Sequence, residues 1–132
     1  MSVVLDACAL IAFLRGEPGS EIVARHLIEG NCLAHAVNLC EVYYDCIRVD
    51  GEAKAEALVR DLLEVGLTGR TDMDESFWKD VGKLKAGIVR ISLADCFAIA
   101  LARRLDMPVL TSDHHDFDPI LANGICAVEF IR

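Results

Sequence analysis

Val3-Val4-Leu5-Asp6-Ala7-Cys8-Ala9-Leu10 is the stretch on which the fold turns. The three leading residues form a short apolar run, which reads as a buried strand. Asp6 ends it. Ala7 to Leu14 then has a helical pattern, and Gly16 and Pro18 punctuate a turn. A strand that stops at an acid and passes at once into a helix is the opening of an α/β chain. The same arrangement returns late in the sequence, where Val109-Leu110-Thr111 runs into Ser112-Asp113.

Between these two stretches, strands and helices alternate. Ser20 is a candidate cap for a helix with Ile22, Val23, His26 and Leu27 on one face. Asn31 to Val37 reads as a second strand. Asn38 reads as an N-cap, followed by the helical stripe Leu39, Val42, Tyr43, Cys46 and Ile47. Gly51 to Val65 is an amphipathic helix with Leu58, Leu62 and Leu63 inward, stopped by Gly66. Leu67 to Thr71 is a short strand. Asp74 to Lys85 is a helix with Phe77, Val81 and Leu84 on one side. Ser92 caps the helix Leu93 to Leu105, and Asp118-Pro119 begins a turn or short helix. Ala127 to Ile131 is a last strand. Such alternation predicts an α/β fold with a mostly parallel central sheet, covered on both faces.

Composition sets the outer limits. The 132 residues fit one domain, residues 1–132, and 54% are hydrophobic, which removes the signature of disorder. A domain of this size buries about two-thirds of its unfolded surface. The net charge of −8 argues against indiscriminate binding to bare phosphate backbone, yet an acidic site changes sign when it holds a metal ion. The six cysteines form no C-x-x-C pair and have no His at zinc spacing. Five lie in apolar stretches, so buried, reduced thiols are expected. There is no cationic leader and no run near the roughly 18 apolar residues of a membrane span. The expectation is a soluble cytoplasmic protein.

Chemistry has to come from acids, because the sequence carries neither a glycine-rich phosphate loop nor a G-x-S-x-G elbow. Asp6, Glu41, Asp95 and Asp113 stand out. Asp6 and Asp113 follow strands, and the C-terminal ends of parallel strands border the binding crevice; each also suits a plain turn. Glu41 lies three residues after Asn38, close to a capping box. Asp95 stands at the mouth of the apolar segment Cys96-Phe97-Ala98-Ile99-Ala100-Leu101-Ala102. A charge there is costly unless it is paired or ligates a metal, and Arg103 and Arg104 lie beyond one helical turn. Four such carboxylates suit Mg²⁺ or Mn²⁺, hard cations that keep several waters. Such ions polarise phosphoryl oxygens and activate water.

These residues resemble the PIN-domain family. Val3 to Leu10 resembles its opening strand and Asp. Asn38-Leu39-Cys40-Glu41-Val42 resembles its second acidic motif, and Ile91 to Ala100, with Asp95, its third. Pro108-Val109-Leu110-Thr111-Ser112-Asp113, followed by Asp116-Phe117, resembles its fourth. The small size is closest to VapC toxins. The resemblance implies a three-layer α/β/α fold with Asp6, Glu41, Asp95 and Asp113 around Mg²⁺ or Mn²⁺. It implies Asp116 as a candidate fifth acid and Thr111 in support by hydrogen bonding. It further implies metal-dependent cleavage of RNA, a homodimer and a cognate antitoxin. Cys8 departs from the pattern, which often has a small hydroxyl or amide residue there, and a thiol is a weaker hydrogen-bonding partner.

Two other readings compete. One is a PIN-like module that binds RNA or protein without cutting. The other is a phospho-signalling receiver domain, against which stand the lone Asp6 and the absence of a strand-end Asp near mid-chain. His114 and His115 are read as an exposed loop pair, His26 and His35 as structural or surface residues, and Trp78 and Tyr43 as core or dimer-interface residues. Arg90, Arg103 and Arg104 are candidate RNA contacts or plain solvated surface.

Overall fold

A computed structural model describes residues 1–132. Along the chain it runs β1 (Val3–Leu5), α1 (Ala7–Leu14), α2 (Ser20–Glu29), β2 (Cys32–His35), α3 (Ala36–Asp50) and α4 (Glu52–Val65). Then come β3 (Leu67–Arg70), α5 (Glu75–Gly87), α6 (Leu93–Leu105), β4 (Val109–Thr111), α7 (His114–Ala122) and β5 (Val128–Phe130). The sheet order is β3-β2-β1-β4-β5 and every pairing is parallel. Val4 and Leu5 are in register with Val109 and Leu110.

Successive residues of a strand point to opposite faces, and here this builds two cores. Val3 and Leu5 face one side with Leu10, Val23, Leu27, Val42 and Leu62. Val4 faces the other with Phe77, Leu84, Phe97, Ile99 and Phe117. The result is a three-layer α/β/α architecture. The chain fills the sheet outward from β1 to β3, then returns to β4 on the other side of β1. That reversal puts a topological switch point between the C-terminal ends of β1 and β4, where open α/β sheets leave a crevice. No helix is long and apolar enough to cross a membrane.

Several local expectations need correction. The α2 cap is Gly19, at φ 94°, not Ser20. A side chain at Gly19 would meet the Ile131 carbonyl oxygen at 2.5 Å, so glycine is required for space as well as for φ. Helix α3 starts at Ala36, capped by the His35 ring, which accepts from the Val37 N–H. Asn38 is therefore inside the first turn, fully buried, and no capping box joins it to Glu41. Leu63 is 45% exposed while Leu62 is buried. Helix α7 begins at His114, before Asp118-Pro119, so the two histidines are helical rather than in a loop. Trp78 is 47% exposed and lies outside the core. Cys8 and Cys40 are exposed, so the expectation of buried thiols holds for only part of the set.

Candidate metal centre

Asp6 leaves β1 as the cap of α1, its Oδ1 accepting from the Ala9 N–H at 2.9 Å. Its Oδ2 accepts from the hydroxyl of Thr111, the last residue of β4. The same Thr111 oxygen accepts from the Asp113 N–H at 3.0 Å. One buried hydroxyl thus ties together the ends of the two strands that flank the switch point. Asp113 caps α7 by accepting from the Asp116 N–H at 3.1 Å. Asp95 occupies the first turn of α6, where Ser92 Oγ accepts from the Asp95 N–H at 3.0 Å. The acids Asp6, Asp95, Asp113 and Asp116 are all carried at helix N-termini, whose dipoles favour negative charge.

Electrostatics shows which carboxylates share the crevice. Burial pushes the Asp6 carboxyl up to about 7; the Thr111 and Ala9 hydrogen bonds oppose the rise, and Asp95 and Asp113 add to it. Burial pushes Asp95 up to about 6, opposed by Ser92 and reinforced by Asp116, Glu41 and Asp113. Glu41 is also raised, chiefly by burial, with Asn38 acting the other way. The Cys8 residue is exposed as a whole, but its thiol loses part of its hydration against the crevice and is raised to about 12, and Asp6, Asp113, Asp95 and Glu41 all add to the rise. Asp95 therefore lies within electrostatic reach of each of the other four acids singled out from the sequence, and Cys8 lies within reach of Asp6, Asp113, Asp95 and Glu41.

No lysine or arginine pairs with any of the five. Their only ionic neighbour is the exposed His115 ring, 4.0 Å from Asp116. His114 is engaged elsewhere, stacked on Phe130 and bonded to Asp118 and the Arg132 carbonyl. Arg104 is held by Asp72 and Asp74, and Arg90 reaches the His115 carbonyl at 3.4 Å. The acids are thus a set of mutually repelling groups with no lysine or arginine counterpart.

That chemistry fits a hard divalent cation. No three of these acids stand close enough together in this structure to hold one ion between them. A closed cage is what a structural zinc site would need. Mg²⁺ commonly takes one or two carboxylates and completes its shell with water. The largest cavity lies elsewhere, about 620 Å³ between α5 and α6, lined by Lys79, Asp80, Lys83 and Arg103 among others. It shares no residue with the acidic crevice.

Sequence reading misses Asn38 as a buried side chain of this region. The available signal is an amide on an otherwise apolar helical stripe, and the cap reading absorbs it.

Comparison with known proteins agrees with this architecture. No curated protein matches the chain in sequence. The structure resembles DNA-bound VapBC from Salmonella typhimurium with a TM-score of 0.78 at 14% identity, covering 100% of this chain and 99% of that one. It resembles VapBC2 from Rickettsia felis, bound to a promoter DNA fragment, with a TM-score of 0.77 at 15% identity and 98% coverage of both chains. VapBC-5 from Mycobacterium tuberculosis, a member of a family of toxin–antitoxin systems, gives 0.63 at 22% identity, covering 99% of this chain and 98% of that one. These likenesses establish a shared fold. The PIN domain family model matches residues 3–120, a span that opens on β1 and takes in every acid of the crevice, and the chain belongs to the PIN domain family.

Proposed function

We propose that this chain, as one domain over residues 1–132, is a Mg²⁺- or Mn²⁺-dependent endoribonuclease, the toxin of a VapBC-type toxin–antitoxin pair. The observation that carries the reading is the junction of Asp6 and Asp113 through Thr111 at the switch point, with Asp95 and Glu41 close enough to act on the same space. Family membership and the fold shared with solved toxin–antitoxin complexes support it.

Asp6, Glu41, Asp95 and Asp113 would hold the ion, and Asp116 stands beside them. A bound divalent ion supplies Lewis acidity at a phosphoryl oxygen and makes water a competent nucleophile near neutral pH. The protein's own part is positioning. Thr111 fixes one oxygen of Asp6, and the Ala9 N–H fixes the other. The α1, α6 and α7 N-termini keep Asp6, Asp95 and Asp113 at the crevice.

Cleavage of RNA is expected to require Mg²⁺ or Mn²⁺ and to stop on chelation. Purified protein, freed of metal and assayed with each ion and with chelator, tests this. Undiminished cutting in chelator, with metal content verified as nil, would remove the metal from the reading. RNA bound without cutting under all metal conditions would favour the non-cleaving module.

The assembly is read as a homodimer that also takes a cognate antitoxin. Exposed apolar side chains such as Tyr44, Trp78, Val89 and Leu93 are the kind of surface that such contacts cover. Light scattering at tens of micromolar, a rough range in which interfaces of ordinary affinity are filled, is expected to give twice the chain mass. A monomer at that concentration would count against self-association.

A further inference from the structure

Asn38 is fully buried in the first turn of α3. Its Nδ2 donates to the Ala94 carbonyl at 3.1 Å, the peptide group that joins Ala94 to Asp95 on α6. Glu41 lies three residues further along α3, which puts it on the same side of that helix. Its Oδ1 is buried without any partner.

This combination fixes the orientation of the amide. The Ala94 carbonyl only accepts, so an N–H group must face it. Turning the amide over would set its oxygen against that carbonyl. The orphaned oxygen is the consequence, and leaving a buried acceptor unmade is costly. An apolar side chain of similar volume would pack between α3 and α6 without that cost. The advantage of asparagine at this position must lie in its donors. One of them holds the peptide group that leads into Asp95.

We propose that Asn38 is a positioning residue of the metal centre: its amide ties the backbone at Asp95 to the first turn of α3, the helix that carries Glu41, and so sets the separation of these two acids. The inference rests on the proposed function. Hydrogen-bonding partners behind metal ligands typically matter 10- to 100-fold in metal affinity or activity. Asn38 fits that role through the backbone at Asp95.

Two substitutions test it, with three measurements on each protein: melting of the metal-free form, Mn²⁺ affinity by calorimetry, and kcat and KM for RNA cleavage. Asn38→Leu removes the donors and the orphaned oxygen together. It is expected to melt no lower than wild type, to bind Mn²⁺ about 10- to 100-fold more weakly, and to lose kcat by a similar factor with KM little changed. Asn38→Thr keeps one donor and should fall between the two proteins in both affinity and kcat. A merely structural tie between α3 and α6 predicts instead a lowered melting temperature with unchanged Mn²⁺ affinity. Wild-type affinity in Asn38→Leu overturns the inference, as do losses that track the melting temperature. Should Asn38→Leu fail to fold, wild-type affinity in Asn38→Thr overturns it equally. Wild-type protein that neither binds Mn²⁺ nor cuts RNA overturns the proposed function, and this inference with it. A wild type that does both while the variants match it removes Asn38 alone.

Discussion

Asp95→Asn is expected to lower RNA cleavage by at least about a hundredfold, the upper end of what groups standing behind a metal ligand contribute. The metal-free variant should nevertheless be as stable as wild type or more so. The cap of α6 explains why the fold survives. Ser92 Oγ accepts from the backbone N–H of Asp95, a bond that asparagine leaves in place. What the substitution removes is a charge that burial and three neighbouring acids, Asp116, Glu41 and Asp113, all disfavour. A ligand stabilises a protein only in proportion to its binding. Mg²⁺ should therefore raise the melting temperature of the wild type more than that of the variant. An Asp95 that served only its helix would behave in the opposite way. The variant would lose up to about 0.5–2 kcal/mol of capping stability and keep its chemistry. Melts with and without Mg²⁺, beside one cleavage assay, separate the two. A destabilised variant that still cuts at near wild-type rate would take Asp95 out of the site.

How much of this is legible in the sequence depends on whether the signal is local. The step from Leu5 through Asp6 to Ala7 marks both element boundaries correctly, because an apolar run and a helical pattern meet at a capping acid. The Ser92 cap of α6 is equally plain. His35 as a cap is not, since an imidazole accepting from a backbone N–H is outside the usual set of Ser, Thr, Asp and Asn. Asn38, three residues on, draws that role to itself. The start of α7 is hidden by Pro119, which lacks the N–H that would bond the His115 carbonyl. Arg90 approaches that carbonyl from outside the helix, a contact between residues far apart in sequence. Leu63 reads as inward beside Leu62, and the register of α4 turns it to solvent.

The site divides in the same way. The acids can be named singly, because each follows a strand or opens a helix. Their meeting cannot be read from any one stretch. The Thr111 hydroxyl reaches Asp6 across 105 residues of sequence. That contact exists because β4 returns beside β1 after the chain has built β2 and β3 on the other side. The resemblance to a family supplies the convergence that spacing alone lacks. It does not supply the role of Asn38, which becomes visible only when a buried amide is found with one atom bonded and the other bare.

Asp6 should make the metal-free protein lose stability as pH rises, and Asp6→Asn should abolish most of that loss. The carboxyl is 1% exposed, and burial lifts it from an ordinary 3.8 to about 7 against the opposing Thr111 and Ala9 hydrogen bonds. Below about pH 4 the group is protonated in folded and unfolded chains alike, and its contribution is fully present. Between about 4 and 7 the unfolded chain ionises first, so the folded state binds the extra proton and stability falls with rising pH. Above 7 the loss is complete. With each pKa unit worth about 1.4 kcal/mol, it amounts to a few kcal/mol. Asp95 contributes a decline of its own, complete by about pH 6, and does so in both proteins. The asparagine of the variant can keep the α1 cap through its oxygen while its amide faces Thr111, whose hydroxyl must then turn to a new acceptor. The variant should therefore equal wild type or fall slightly below it near pH 4, and exceed it at about pH 8, above the folded value of about 7. Mg²⁺ should close the gap from the wild-type side, because a cation relieves the same repulsion. Denaturant melts of both metal-free proteins across this range decide the matter. Parallel stability curves would mean that Asp6 is ionised in the crevice without penalty, and the electrostatic case for a cation between these acids would fall with them.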